Sequence, residues 1–292
     1  MGPHYRGAYN PPVHEKSSTA VAAGRAPGRF QAHVSAPSLS VILITHNEAA
    51  NVGACLASVA FADEWIVVDS GSTDGTVDIA RAAGAQVTIA TDWPGFGAQK
   101  NRALALATGR WVLSIDADER VTPELAASVR RVVAGEGEGQ GEEAGPAGYE
   151  LSRLSNFCGQ WMRHGDWYPD RVLRLFKRDA ARFSDDLVHE RTIVTGRIAR
   201  LEGELLHYSM PTLDSAIDKM NRYSSGRAVD KVAAGDRGGL WAALTHGLWA
   251  FLRCYMLHRG FLDGRLGFVL AVYVAENTYY RYLKMGLLRA AH

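Results

Sequence analysis

Four short apolar runs, Leu39–Thr45, Glu64–Asp69, Gln86–Thr91 and Arg110–Ile115, alternate with stretches of helical character, and this alternation restricts the fold more than any other feature. Between them, Glu48–Val59 places apolar or small residues at Val52, Leu56 and Val59, Thr76–Ala83 stops at Gly84, and Ala98–Ala107 ends at Gly109. Strand and helix in this order predict parallel β-α-β units within a three-layer α/β architecture. Ligands of such sheets sit beyond the carboxyl ends of the strands. The residues that follow each run are therefore the first place to look for chemistry.

At 292 residues the chain is long enough for one full domain and a second subdomain or helical tail. Its 32 basic and 31 acidic residues leave a net charge of +1, so no global field favours nucleic acid. Cys55, Cys158 and Cys254 lie far apart, with no C-x-x-C pair and an odd total. That argues against a disulfide framework or a zinc site and fits a reducing, cytoplasmic compartment. Residues 1–37 carry prolines, glycines and scattered charges without a sustained apolar stretch, and are read as a disordered leader rather than a signal peptide. The main α/β domain is expected over 38–212, interrupted by a Gly/Glu-rich loop at 134–148 that contains no basic residue. Mixed strand-like runs (Val172–Phe176, Arg191–Val194, Leu205–Tyr208) precede a helical region over 213–292. Its longest apolar stretch, Leu240–Leu257, is interrupted by His246 and Arg253, and Leu266–Ala275 is shorter than the about 20 apolar residues a bilayer crossing takes. No transmembrane span is predicted.

The fourth run ends in Asp116-Ala117-Asp118. In an extended segment, side chains two residues apart share a face, so both carboxylates can point into one site. Such a pair suits Mg²⁺ or Mn²⁺ carrying phosphates, which takes one or two protein carboxylates and fills its other positions with water and phosphate oxygens. The competing reading makes Asp118 a turn residue before the helix that Thr122 and Pro123 start.

Nicotinamide and Walker-type nucleotide chemistry are set aside. Thr45-His46-Asn47-Glu48 follows the first strand without a glycine, and nothing matches G-x-x-x-x-G-K-[ST]. Asp69 ends the second strand, where it can accept an N–H from a base such as uracil or cap the turn that follows. In Gly71-Ser72-Thr73-Asp74-Gly75-Thr76, Thr73 or Asp74 is the expected helix cap. Lys100 and Arg102 near the start of the next helix either neutralise a diphosphate or form a solvated basic face.

Taken in order, LSVILITHNE, WIVVDSGSTDGT and QKNRALALATGRWVLSIDADE resemble the inverting family-2 glycosyltransferases of the GT-A fold, over about Leu39 to Glu124. At lower strength, WYPDRVLRLFKRD, DDLVHERTIVTG, LLHYSMPTLDSAIDKMNRYS and RGFLDGRLGF resemble the lipopolysaccharide-core branch that glucosylates inner-core heptose.

The resemblance implies a UDP-sugar donor, a divalent metal (Mg²⁺ or Mn²⁺) and a lipid-linked saccharide acceptor. Thr45, Asn47, Glu48 and Asp69 would hold the uridine, Asp116 would face the ribose or donor sugar, and Asp118 would hold the metal. His207 is a further metal-ligand candidate, and Arg171, with Lys100, a diphosphate contact. An acceptor hydroxyl needs a carboxylate base within hydrogen-bond reach. Glu190 takes that role by its position in the branch, with Asp185 and Asp186 as competitors, His189 orienting the loop, and pairing of Glu190 with Arg191 or Arg171 as the structural alternative. Trp161, Trp167 and Tyr168 suit stacking on a sugar, or core packing.

Two other activities share the donor half of this pattern: transfer to a polyprenyl phosphate, and sugar-nucleotide binding without catalysis. Late in the chain Trp241, Leu244, Leu248, Phe251, Leu252 and Tyr255 recur at steps of three and four, with His246 and Arg253 on another face. From Arg197 onward thirteen basic residues stand against eight acidic ones. A helix of this kind suits peripheral contact with the inner face of the cytoplasmic membrane, or else caps the catalytic domain or a dimer.

Overall fold

The four apolar runs are realised as β1 (Leu39–Thr45), β2 (Glu64–Asp69), β3 (Gln86–Ile89) and β4 (Trp111–Ser114), joined by α1 (Val52–Ser58), α2 (Thr76–Ala82) and α3 (Phe96–Leu106). The structure is a computed structural model, and it describes residues 38–135, 145–184 and 190–290. β1 pairs in parallel with both β2 and β4, and β2 with β3. The chain continues through β5 (Glu119–Val121), α4 (Pro123–Val133), β6 (Gly148–Phe157), β7 (Gln160–Trp161), β8 (Asp170–Lys177), β9 (Ala181–Phe183), β10 (Thr192–Val194) and β11 (Ile198–Met210). Three helices close it: α5 (Leu213–Ala233), α6 (Leu240–Leu252) and α7 (Gly264–Ala290). The main sheet runs β3-β2-β1-β4-β8-β6-β11-β5 with β7 on β6, and β9 and β10 form a separate hairpin.

The expected three layers follow from strand alternation. Val41, Leu43, Val67 and Leu113 point to one side, where they pack with Val52 and Leu56 of α1 and Leu125 and Val129 of α4. Ile42, Ile66, Val68 and Val112 point to the other, against Ala103 of α3 and Phe176. Each such side chain taken out of water contributes about 1.5–3 kcal/mol. Truncating the fully buried Leu113 to alanine would cost about 2–5 kcal/mol, because a cavity is added to the lost transfer energy.

Beyond β4 the sheet changes character. β8 enters antiparallel between β4 and β6, and β11 pairs in parallel with β6 and antiparallel with β5. The carboxyl ends of β1, β2 and β4 therefore share an edge with the amino ends of β5 and β8. The helical region seats on this sheet through a third cluster in which Phe157, Met162 and Met210 pack with Ala216 and Met220 of α5 and Leu270 and Tyr273 of α7.

Several local expectations are corrected. The first helix starts at Val52 rather than Glu48, because Asn47 takes a left-handed φ of 57° and the Glu48 carbonyl accepts from Asn51 and Val52. Neither Thr73 nor Asp74 caps α2. Gly75 precedes it with φ 87°, and Asp74 instead accepts from the Thr76 amide and hydroxyl and from the Ala49 amide, tying two loops together. Thr122 does cap α4, accepting from the Leu125 amide at 3.3 Å, with Pro123 in the first turn. The leader (1–37) and residues 136–144 of the Gly/Glu-rich loop lie outside the described residues, as do Asp185, Asp186 and His189. Among the described residues no helix is long and apolar enough to cross a membrane.

Candidate active site

Four segments converge where β4 ends. Ala117 and Asp118 form a turn rather than an extended run, so the two acids of the triplet meet different partners instead of sharing a face. Asp116 Oδ2 accepts from Arg174 Nη2 of β8 at 2.5 Å, and its Oδ1 lies 3.3 Å from Lys100 Nζ of α3. Asp118 Oδ2 lies 3.3 Å from His207 Nε2 of β11, and the other ring nitrogen of His207 bonds Ser155 Oγ at 3.0 Å. Burial pushes the Asp116 carboxyl up, but the Arg174 guanidinium and the Lys100 ammonium outweigh it and hold the group well below the usual carboxylate range. The same ion pairs raise Arg174 against the opposing effect of its burial.

Lys100 is not a solvated residue. It is 4% exposed, and its ammonium also donates to Glu190 Oε1 at 2.7 Å. The structure thus joins Glu190 to Asp116 through one lysine, and neither Arg191 nor Arg171 supplies that carboxylate's ion pair. Local packing sets this placement. The Asn101 side chain donates to the Phe183 carbonyl and accepts from the Phe183 amide, both at 2.9 Å, clasping α3 to β9. At Gly97 a Cβ would stand 1.8 Å from the Ser184 carbonyl oxygen, so only glycine lets α3 approach the strand end that leads to Glu190.

The first-strand loop has a different design. Asp69 is fully buried, and its carboxylate accepts from the Thr45 hydroxyl (2.8 Å), the Ser72 hydroxyl (2.5 Å) and the amides of Gly71 and Ser72 (3.0 and 2.7 Å). Burial raises this group, and these bonds together outweigh it and lower it. Asp69 therefore braces the turn. Asn47 carries the brace outward, its amide donating to Ser72 Oγ and its Oδ1 accepting from Thr73. Glu48 accepts from Asn51 Nδ2 at 2.9 Å, and its carboxyl is pushed up by burial, then by the negative charges of Asp118, Asp74 and Asp116, against the Asn51 bond. Burial is the larger cause, and the nearby acids add to it.

Arg171 stays outside this network, its guanidinium donating to Ser152 Oγ at 2.5 Å. The arginine that enters is Arg174, three residues on, which also donates to the fully buried Glu119 at 2.9 Å. Arg153 bonds Glu119 at 3.3 Å and Asp170 at 2.8 Å. Arg174, Glu119 and Arg153 escape sequence reasoning. The available signal was a charged residue between leucines in Leu173-Arg174-Leu175, where an unpaired charge would be costly. Lys219 of α5 is another; its ammonium donates to Ser209 Oγ of β11 at 3.1 Å, two residues beyond His207, so the helical region also reaches this edge. Trp167 belongs to the third core cluster, Trp161 packs edge-on against Tyr208, and the Tyr168 hydroxyl donates to Glu204.

Among the described residues no group of three or more His, Cys, Asp or Glu side chains is placed to hold a metal ion. Asp118 and His207 offer two donors, a carboxylate and an imidazole, side by side. A cation that draws its remaining ligands from water and phosphate fits that pair.

A family model described as glycosyl transferase family 2 matches residues 40–137. The chain is similar to an uncharacterised glycosyltransferase of Rickettsia prowazekii, 32% identical in an alignment that covers 86% of each chain. It is 30% identical to LpsC of Rhizobium meliloti, a lipopolysaccharide core biosynthesis glycosyltransferase, over 84% of this chain and 93% of LpsC. Among solved structures, the mannosyltransferase PcManGT of Pyrobaculum calidifontis, in complex with GDP-Man and Mn²⁺, aligns with a TM-score of 0.44 at 17% identity, covering 84% of this chain and 74% of that one.

Proposed function

The chain belongs to glycosyltransferase family 2, and on that premise we propose that it moves a hexose, glucose by preference, from a UDP-sugar to an inner-core heptose of lipopolysaccharide, with inversion and with a divalent metal. The α/β sheet followed by C-terminal helices is the GT-A architecture of the family. One observation carries the reading: at a single sheet edge Asp118 faces His207 while Asp116 and Glu190 are held together through Lys100. The relative LpsC, matched over nearly its whole length, supports a lipopolysaccharide acceptor.

On this reading Asp118 and His207 hold the metal, Mg²⁺ or Mn²⁺, which when bound neutralises charge on the departing nucleotide diphosphate. Asp116 is kept ionised by Arg174 and Lys100 and accepts hydrogen bonds from hydroxyls of the ribose or donor sugar. The loop of Thr45, Asn47 and Glu48, braced by Asp69, forms the uridine side. Glu190 takes the proton of the acceptor hydroxyl as it attacks the anomeric carbon from the face opposite the nucleotide. Lys100 fixes one Glu190 oxygen and keeps the base in register with the donor sugar. The acceptor is a lipid-linked saccharide, which places the reaction at the inner face of the cytoplasmic membrane.

The test is release of UDP from a panel of UDP-sugars, with and without Mn²⁺ or Mg²⁺, followed by transfer to heptose-bearing core fragments. Asp118→Ala should abolish metal-dependent turnover. Glu190→Gln should lower transfer by about 100-fold or more, the usual contribution of a general base. Near-wild-type transfer by Glu190→Gln would refute a hydroxyl acceptor and point to a phosphate acceptor that is already ionised. UDP binding with no turnover of any donor would leave a binding protein instead.

A further inference from the structure

Helix α6 has its side chains arranged the opposite way from an ordinary surface helix. Its buried positions are Ala243, Gly247 and Ala250, continued by Cys254 in the next turn, at steps of four, three and four. This stripe of small residues lies against α7, where a Cβ on Gly247 would stand 3.2 Å from Tyr279 Cβ. The large apolar side chains point the other way: Trp241 is 79% exposed, Leu248 63% and Trp249 53%, with Leu240, Leu244 and Leu252 beside them. Met256, Leu257, Phe261 and Leu262 extend the exposed surface through the two turns that follow. No charged residue occurs from Leu240 to Leu252. The two polar residues do not soften this face, since Thr245 returns its hydroxyl to the Trp241 carbonyl and His246 stacks on Tyr282.

The exposed charges within residues 237–265 have one sign. Residues 237–265 contain four arginines and one acid, and that acid, Asp263, is buried and bonded to His164. Arg253 is engaged by Asp166, whereas Arg237, Arg259 and Arg265 are exposed.

We propose that this face docks the protein on an anionic lipid bilayer, with α6 lying in the plane of the interface. The helix has 13 residues and spans about 20 Å, too short to cross the about 30 Å hydrocarbon core. Tryptophan and leucine above arginine are the composition of an interfacial helix, with indoles at the headgroup level and cations against anionic lipid. A second copy of the chain fits less well, because two-fold pairing would bring like arginine rims together without counter-charge. The turn after α6 also places Arg253 and His258 on a cavity of about 480 Å³ with Asp166, Tyr168 and Pro169, just before β8. Docking through α6 sets that cavity beside the membrane, where a lipid-anchored saccharide would arrive.

The experiment is co-sedimentation of the full-length chain with vesicles of phosphatidylcholine alone or mixed with phosphatidylglycerol. We expect binding to the anionic vesicles, weakened by added salt, with a blue shift of tryptophan emission. Trp241→Ser/Leu248→Ser should reduce that binding by at least about tenfold, with an unchanged thermal melt because both side chains are exposed. Protein that stays in the supernatant with anionic vesicles, or vesicle binding that survives the double substitution, would overturn the proposal. So would a concentration-dependent dimer in solution that the same substitutions dissolve. Binding is read without turnover, so its failure is distinguishable from failure of the proposed reaction.

Discussion

Replacing Arg174 by methionine tests the electrostatic core of the site. Arg174 is 8% exposed, and its guanidinium serves two carboxylates, Asp116 at 2.5 Å and the fully buried Glu119 at 2.9 Å. Removing one partner of a buried ion pair generally costs about 3–5 kcal/mol, because the remaining charge is left uncompensated. Here each carboxylate retains a cation, Lys100 for Asp116 and Arg153 for Glu119, both at 3.3 Å. The loss should therefore fall near the lower bound, about 3 kcal/mol, or roughly 150-fold in the folding equilibrium. The pH dependence supplies the sharper test. Asp116 is depressed in the folded state, so its contribution is present above the ordinary carboxylate range and is lost as pH falls through the folded value. The variant lacks most of that contribution, so the stability gap between the two proteins should narrow on acidification. Urea unfolding at about pH 7 and again below about pH 4 reads both quantities. A gap under about 1 kcal/mol at neutral pH, or one that widens in acid, would refute the assignment.

Gly97→Ala raises helix propensity by about 1 kcal/mol, yet its Cβ meets the Ser184 carbonyl at 1.8 Å. Turnover should therefore drop with little change in donor KM as the Glu190 segment is displaced; wild-type kcat with a raised Tm would show that this contact does not position the base. Asp118→Ala and His207→Ala should each weaken Mn²⁺ binding in the presence of UDP by about tenfold or more, read by water proton relaxation. Equal affinity in either variant would remove that residue from the metal set. The Tyr273 hydroxyl is pushed up to about 12 by burial and then by Tyr223. Stability held below pH 10 should be lost as pH rises towards 12, by about 2–3 kcal/mol, and Tyr273→Phe should abolish that part of the alkaline transition.

The parallel half of the sheet was legible because β1, β2 and β4 are buried on both faces and read as continuous apolar runs, while the edge strand β3 is mostly exposed. Each of the four runs became a strand within one to two residues of its expected limits. The remaining half was read less well. β5 and β7 are three and two residues long, too short for any periodicity to register. Asp116, Asp118 and Lys100, read from spacing and residue type, and Glu190 and His207, read from the resemblance, are brought to one edge by the structure. Arg171 is not, because no spacing rule separates it from Arg174 when β8 carries a bulge in its pairing with β6. Helix α6 left open which of its sides would pack. Its three- and four-residue apolar repeat is real, but alanine and glycine occupy the opposite stripe, and contact with α7 selected the small side.

Asp116 and Asp118 look equivalent in the chain, and their surroundings make them different. Both oxygens of Asp116 face cations, Lys100 on Oδ1 and Arg174 on Oδ2. A divalent ion placed against that carboxylate would have to displace a buried ammonium or guanidinium, leaving it uncompensated at a cost of several kcal/mol (on the order of the pair itself). Asp118 faces a histidine, whose neutral imidazole is itself a metal ligand, and no arginine or lysine is paired with it among the described residues. On the proposed reading the surroundings divide the work: one carboxylate is held ionised and fixed for a neutral, hydroxyl-bearing ligand, and the other is left to a cation. The antiparallel entry of β8 makes the division possible. Leu175 pairs with Leu113, which sets Arg174 beside the end of β4, while the turn at Ala117 directs Asp118 towards β11 instead. Two residues of chain separate these environments, and the strand order rather than the D-x-D spacing gives each acid its partners.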